Sequence, residues 1–236
     1  TDAAAENVVE NAAAGTAVGI TAFADDADGT DTVSYSLDDD SGGRFTINAA
    51  TGVVTVSGAL DYETATSHSI TVRATSTDGS FSTRSFAISL TDTNDNAPVI
   101  TAGQSFSVAE DSVNGTNAGA VVATDPDTVG SLQSWTITAG NTDGIFAIDA
   151  AIGAITVADN TNLNFEATSS YTLTITVTDG ANSSAPQTVT INITDMNEGP
   201  VAVADAYSTN EDTPLVVPAA GVLANDSDVD GDTLSA

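Results

Sequence analysis

Along most of this chain apolar residues alternate with Thr, Ser or Asp over short runs, the period of a half-buried antiparallel strand. In the first hundred residues the alternation predicts strands at Ala17–Ala22, Val33–Leu37, Phe45–Asn48, Val53–Val56, His68–Thr75 and Phe81–Thr91. A matching set follows at Phe106–Ala109, Ala120–Ala123, Trp135–Thr138, Phe146–Asp149, Ala154–Val157, Tyr171–Thr178 and Gln187–Thr194. Thr51-Gly52 and Ile152-Gly153 supply the turns after Phe45–Asn48 and Phe146–Asp149. Several short strands spaced roughly 8–12 residues apart with turns between them predict an all-β chain of sandwiches. Trp135 aligns with Tyr35 and His68 with Tyr171, so Trp135 is read as core and His68 as a partly buried strand residue. Asp38, Asp39 and Asp40 read as a loop.

The acidic motifs between the strands recur in register. Glu10, Glu110 and Glu211 follow one another at 100 and 101 residues, and Asp26/Asp28, Asp125/Asp127 and Asp226/Asp228 at 99 and 101. Leu60-Asp61-Tyr62-Glu63 returns 103 residues later as Leu163-Asn164-Phe165-Glu166, and Thr77-Asp78-Gly79 returns as Thr178-Asp179-Gly180. Asp92-Thr93-Asn94-Asp95-Asn96-Ala97-Pro98 has its counterpart, again at 103 residues, in Asp195-Met196-Asn197-Glu198-Gly199-Pro200. The period is that of one small domain, so repeats are expected at 1–97 and 98–199, with residues 200–236 as the N-terminal part of a third.

The length of 236 residues agrees with two such domains and a remainder. The net charge of −30 adds chemistry: 33 acidic residues face only Arg44, Arg73 and Arg84, with no lysine. Nucleic acid and anionic membrane surfaces are therefore excluded as partners, because both demand cationic side chains. The second hundred residues hold no Lys or Arg, so bound cations are the expected counter-charge there. There is no cysteine for a disulfide or thiolate site, and no apolar run approaches the roughly 18 residues of a membrane span. The chain starts at Thr1 without a signal sequence and reads as a segment of a longer protein. No Ser/His/Asp or Cys/His arrangement, phosphate loop or His-rich site is present, so no enzyme activity is expected. The oxygen-rich run Asp92–Asn96 instead suits a hard cation, and calcium (Ca2+) is the expected one.

In order, Glu10, Asp26-Ala27-Asp28-Gly29, Phe45–Gly52, Leu60-Asp61-Tyr62-Glu63, Asp78-Gly79 and Asp92–Pro98 make a set that resembles a cadherin repeat, and the resemblance spans residues 7–200. Asn210-Glu211-Asp212-Thr213-Pro214 followed by Val222–Asp232 is similar to the start of the cadherin-like repeats of large bacterial surface proteins. The resemblance implies tandem seven-stranded Greek-key β-sandwiches of immunoglobulin-like topology joined by calcium-binding linkers. It implies three ions at the first junction, held by Glu10, Asp61, Glu63, Asp92, Asn94, Asp95, Asp125, Asp127 and Asp179 with the carbonyls of Thr93 and Asn96. Eight of these are carboxylates, whose charge three divalent ions would reduce from −8 to −2. Without metal they repel one another.

At the second junction the implied ligands are Glu110, Asn164, Glu166, Asp195, Asn197, Glu198, Asp226 and Asp228 with the Met196 carbonyl. Asn164 replaces Asp61 and Glu198 replaces Asp95, so one or two ions are expected there. Asp26, Asp28 and Asp78 form a half-site of weak or no occupancy. Asp226–Gly231 also fits the opening of an EF-hand loop, but the twelfth position, where a Glu is expected, falls beyond Ala236 and no helical pattern flanks the run. The expected role is a calcium-stiffened extender in an extracellular or surface-bound bacterial adhesin. The alternative is a calcium-dependent module binding polysaccharide or other cadherin-like repeats.

Overall fold

The computed structural model describes residues 6–27, 31–217 and 221–235; Asp28 of the expected half-site lies outside them. The alternating runs of the first hundred residues form β1 (Asn7–Val9), β2 (Ala17–Thr21), β3 (Val33–Asp39), β4 (Phe45–Ile47), β5 (Val53–Val56), β6 (Ser67–Ser76) and β7 (Phe81–Thr91). They make a four-stranded sheet in the order β1-β7-β6-β3 and a three-stranded sheet in the order β2-β5-β4. Strand β1 runs parallel to β7, whereas the other pairs are antiparallel. The inward residues of the two sheets meet in one core, where Ile70, Val72 and Ile88 pack in a single cluster with Val18, Phe45 and Val54. Each such side chain contributes about 1.5–3 kcal/mol by leaving water.

The second set repeats this plan. It comprises β8 (Val99–Ile100), β9 (Ser105–Ala109), β10 (Asn117–Ala120), β11 (Ala123–Thr124), β12 (Gln133–Ala139), β13 (Phe146–Ile148), β14 (Ala154–Val157), β15 (Ser170–Thr178) and β16 (Gln187–Thr194). The sheets are β12-β15-β16-β9, β10-β14-β13 and the pair β11-β8. Trp135 is buried in their common core, as its alignment with Tyr35 predicts. Each set is a β-sandwich, and the described residues contain no α-helix, only a 3-10 turn at Gly221–Leu223.

Three details differ from the pattern reading. The alternation missed two short strands: β1, three residues long, which takes its place from parallel pairing with Ser89–Thr91, and β8, two residues long, which pairs with Ala123–Thr124. The run Ala120–Ala123 is broken at Val122, whose N donates to Gln104 Oε1 (2.8 Å) and not to a strand, while its O accepts from Thr101 N (3.0 Å) and from Gln104 Nε2 (3.0 Å). Asp38 and Asp39 belong to β3, with Asp38 in a paired, two-bond contact with Arg73 (2.7 Å each), while Asp40 caps the turn at Gly43. At the predicted turn, Gly52 has φ +70° and its Cα faces Ala22 O so closely that a Cβ would lie 2.4 Å from it, so glycine is required.

The chain divides into two compact units. The first comprises Thr1–Pro98 with the segments Asp125–Ser131 and Asp179–Asn182. The second comprises Val99–Thr124, Leu132–Thr178 and Ser183–Ala236. None of the described residues beyond Pro200 is buried; their order rests on the bridge between Val201 and Ser227 and on local hydrogen bonds.

Candidate metal centres

In the first unit the centre is built on Glu10, just after β1, which is 1% exposed. Its Oε2 accepts from Tyr62 N (2.6 Å), and its Oε1 accepts from Thr93 N (2.8 Å) and Thr93 Oγ1 (2.9 Å). One carboxylate thus ties the start of the sandwich to the Asp61-Tyr62-Glu63 turn and to the stretch after β7. Around it the structure gathers three groups of carboxylates whose ligand atoms lie within 4.8 Å of one another: Glu10, Glu63 and Asp92; Glu63, Asp95 and Asp127; and Asp125, Asp127 and Asp179. Glu63 and Asp127 are each shared by two groups.

The stretch after β7 is fixed by further hydrogen bonds. Asn96 donates to Asp127 through its backbone N (2.9 Å) and through Nδ2 (2.8 Å), and Asp92 accepts from Thr128 N and Thr128 Oγ1. The Asn182 Nδ2 points at Asn96 O (3.0 Å) and at Asn94 Oδ1 (3.2 Å) and O (3.4 Å). Gly130, at φ +86°, lies where any Cβ would come within 2.4 Å of Asn94 Nδ2. Asn11 donates to Asp95. Asn11, Thr128, Gly130 and Asn182 were missed by the motif alignment, since none of them is acidic.

In the second unit the centre has the same base. Glu110, after β9, accepts from Phe165 N (2.8 Å) and Met196 N (2.7 Å), which hold its carboxyl below the usual range. Two groups form here: Glu110, Glu166 and Asp195, and Glu166, Glu198 and Asp230. The backbone N of Glu198 donates to Asp230 Oδ2 (2.7 Å), the bond that Asn96 N makes to Asp127 in the first centre.

Several expected ligands make hydrogen bonds of their own in the metal-free chain. Asp61 accepts from Thr64 N (2.8 Å) and Thr64 Oγ1 (2.9 Å), which hold its carboxyl low, and Asn164 accepts from Ala167 N (2.6 Å). Both cap a local turn, and Asp61 joins none of the carboxylate groups. Asp226 accepts from Val203 N (2.8 Å), and Asp228 accepts from Asp230 N (3.0 Å) and Asp232 N (3.2 Å). The counterpart of Asp125/Asp127 is therefore Asp228/Asp230, not Asp226/Asp228, because Asp127 N donates to Asp125 as Asp230 N does to Asp228. Thr93 and Met196 enter through their N–H groups, and the Asn197 side chain donates to Glu198 O (2.9 Å). Asp78 caps the turn at Ser80 (2.8 Å).

Crowding leaves an electrostatic mark. Burial of its carboxyl, reinforced by Glu10, Asp92 and Asp127, raises the pKa of Glu63, although much of that residue is exposed. Burial with Asp179, Asp127 and Asp92 nearby raises Asp125. In the second centre, burial together with Asp230 and Glu110 raises Asp195, and burial together with Glu110 and Asp230 raises Glu198. Burial also opposes the ionisation of Asp179, but N–H donors at Asn182 and Ala181 outweigh it and hold that carboxyl low.

Six buried side-chain N or O atoms lack a hydrogen-bond partner among the described residues, and four are carboxylate oxygens of these groups: Asp92 Oδ1, Asp125 Oδ2, Asp179 Oδ2 and Glu198 Oε2. A buried carboxylate oxygen without a donor is costly, and a cation is the partner that removes the cost. Every donor is oxygen, with no His or Cys in any group, which fits calcium and not a softer metal.

The chain matches the Cadherin domain family over residues 5–91 and 104–194, and the Cadherin-like domain family over 196–236. It is 32% identical to human Protocadherin Fat 1 over 83% of its own length and 4% of that protein, and 33% identical to chicken Cadherin-1 over 94% of its length and 28% of that protein. The human Desmocollin-1 ectodomain superposes with a TM-score of 0.61 at 26% identity, covering 83% of this chain and 41% of that one. Mouse Cadherin-23 EC22-24 gives 0.64 at 23% identity over 83% and 63%, a likeness of fold. The chain therefore spans a small part of its curated relatives' length, and with two domains matched over most of its own residues it belongs to the cadherin domain family.

Proposed function

We propose that this chain is a structural extender segment of a large extracellular adhesion protein, in which calcium bound at the two carboxylate centres stiffens the linkers between successive repeats. The observation that carries this reading is the set of four buried carboxylate oxygens without a partner. The bound ion would neutralise the crowded carboxylates and bring their oxygens onto a common centre. At the first centre Glu10, Glu63, Asp92, Asp95, Asp125, Asp127 and Asp179 would hold about three ions; at the second Glu110, Glu166, Asp195, Glu198 and Asp230 would hold two. The repeats are those of the periodic motifs, 1–97 and 98–199, with 200–236 opening a third. Millimolar calcium outside cells suits sites of the roughly 10⁻⁴–10⁻³ M affinity common in extracellular modules.

A bacterial surface or secreted adhesin is the host that the motifs in Asn210–Asp232 favour, by their similarity to repeats of such proteins. Binding of polysaccharide finds no tryptophan platform to rest on, since the one tryptophan is in the core. The proposal is tested by small-angle X-ray scattering of the whole chain during a calcium titration. A stiffened chain narrows its distribution of dimensions as calcium rises and reverts with chelator. Scattering curves that superpose at all calcium concentrations would overturn it.

A further inference from the structure

Asn182 is not acidic and lies three residues after the Asp of the motif Thr178-Asp179-Gly180, so nothing in the acidic pattern assigns it a role. Its Nδ2 nevertheless faces three oxygens at once: Asn94 O (3.4 Å), Asn94 Oδ1 (3.2 Å) and Asn96 O (3.0 Å). An amide nitrogen has two protons, so three converging acceptors exceed what it can satisfy well. Oxygens converging in excess on one polar atom are the surroundings of a cation, here filled by a neutral donor. The loop that carries Asn182 is itself anchored, because Asn182 N donates to Asp179 Oδ1 (2.7 Å), and Asn94 Nδ2 returns a bond to Asp179 O (3.4 Å).

We propose that Asn182 is a built-in latch that keeps the oxygens of Asn94 and Asn96 converged while calcium is absent, so that the first centre is assembled before the ion arrives. The latch offsets part of the mutual repulsion of the surrounding carboxylates and leaves less ordering for the ion to impose. The proposal rests on the calcium reading of this centre for its purpose, but its structural content belongs to the metal-free chain. A neutral amide suits this role, because it lends protons to the oxygens without the full charge that would have to be expelled when calcium binds.

The test compares the whole chain with Asn182→Ala and Asn182→Asp by hydrogen exchange in chelator and by calcium titration. In chelator, the backbone amides of Asn96 and Thr93 should exchange roughly fivefold faster in both variants, the effect of losing about one net hydrogen bond. The Asn182→Ala variant should need a roughly fivefold higher calcium concentration to fill the first centre, with the second centre unchanged. Asn182→Asp keeps the shape and removes the donor, so it answers for the exchange even where the alanine variant folds poorly. Exchange equal to wild type in both variants overturns the latch, as does tighter calcium binding by Asn182→Ala, which would make the amide a competitor. Weaker calcium binding with unaltered metal-free exchange also overturns it, since Asn182 would then be a direct ligand. Failure of the wild-type chain to bind calcium would sink the metal reading instead and leave the exchange result to judge the latch.

Discussion

The two centres share a base and differ in what surrounds it. Glu10 and Glu110 each join three stretches of a sandwich through backbone N–H donors, and neither needs a metal to do so. The first centre adds Asp125, Asp127 and Asp179, whereas the second gathers two groups only. Pro98 lies six residues after Asp92 but Pro200 five after Asp195, and in the shorter stretch Glu198 plays two parts. Its side chain joins Glu166 and Asp230 as Asp95 joins Glu63 and Asp127, while its N–H makes the bond that Asn96 makes in the first. A buried, hydrogen-bonded glutamate is thus the scaffold, and the carboxylates around it are the part that a cation would complete.

The largest difference is expected at the scaffold. Glu10→Ala strands three donors and should cost about 3 kcal/mol of the first unit's stability, whereas Glu110→Ala strands two and should cost about 2 kcal/mol in the second. Urea denaturation in chelator measures both, and equal losses would break the distinction. Next comes the register of the second centre: Asp230→Asn should weaken its calcium binding about tenfold, and Asp226→Asn should leave it unchanged, by titration calorimetry. The reverse order would restore Asp226 as a ligand.

Acid comes after these. Glu63, Asp125, Asp195 and Glu198 take up protons above their ordinary range, so calcium binding should weaken as pH falls from neutral through that range. In the metal-free chain the same groups bind protons better when folded. Their contribution is therefore destabilising above the raised pKa values and is relieved as pH falls through them. The smallest effect separates the two sandwiches. His68 packs edge-on against Phe45 (6.0 Å) as Tyr171 packs against Phe146 (5.3 Å), and burial, with Arg44 nearby, lowers the pKa of His68. Its stabilising contribution is whole above the unfolded value near 6.5 and is lost as pH falls below it. His68→Tyr should remove that loss from the first unit, as followed by thermal unfolding at pH 7.5 and pH 5.5, and leave the second unit as it was.

The sandwich and its repeat were legible because alternation and turn residues are local: Trp135, His68 and the Thr51-Gly52 turn lie where the pattern puts them. Glu10 and Glu110 were legible through their spacing. The turn that Asp61 caps was not, since the spacing to Glu63 says nothing of the two bonds it accepts from Thr64. Asp226, Asp228 and Asp230 alternate, so spacing alone admits two registers. The interval of 101 residues from Glu110 to Glu211 gives Asp226/Asp228 and the interval of 103 from Asp92 to Asp195 gives Asp228/Asp230, and the bond from Glu198 N to Asp230 agrees with the second. Asn182 and Gly130 act through an amide and an absent side chain, which a search for acidic motifs passes over.

The most direct measurement is a crystal structure of the chain grown in millimolar calcium, with anomalous difference density used to locate ions. Ions are predicted against Asp92 Oδ1, Asp125 Oδ2, Asp179 Oδ2 and Glu198 Oε2, the buried carboxylate oxygens that no donor among the described residues reaches. Density absent from all four, with those oxygens turned to water or to protein donors, would contradict a calcium role for these centres.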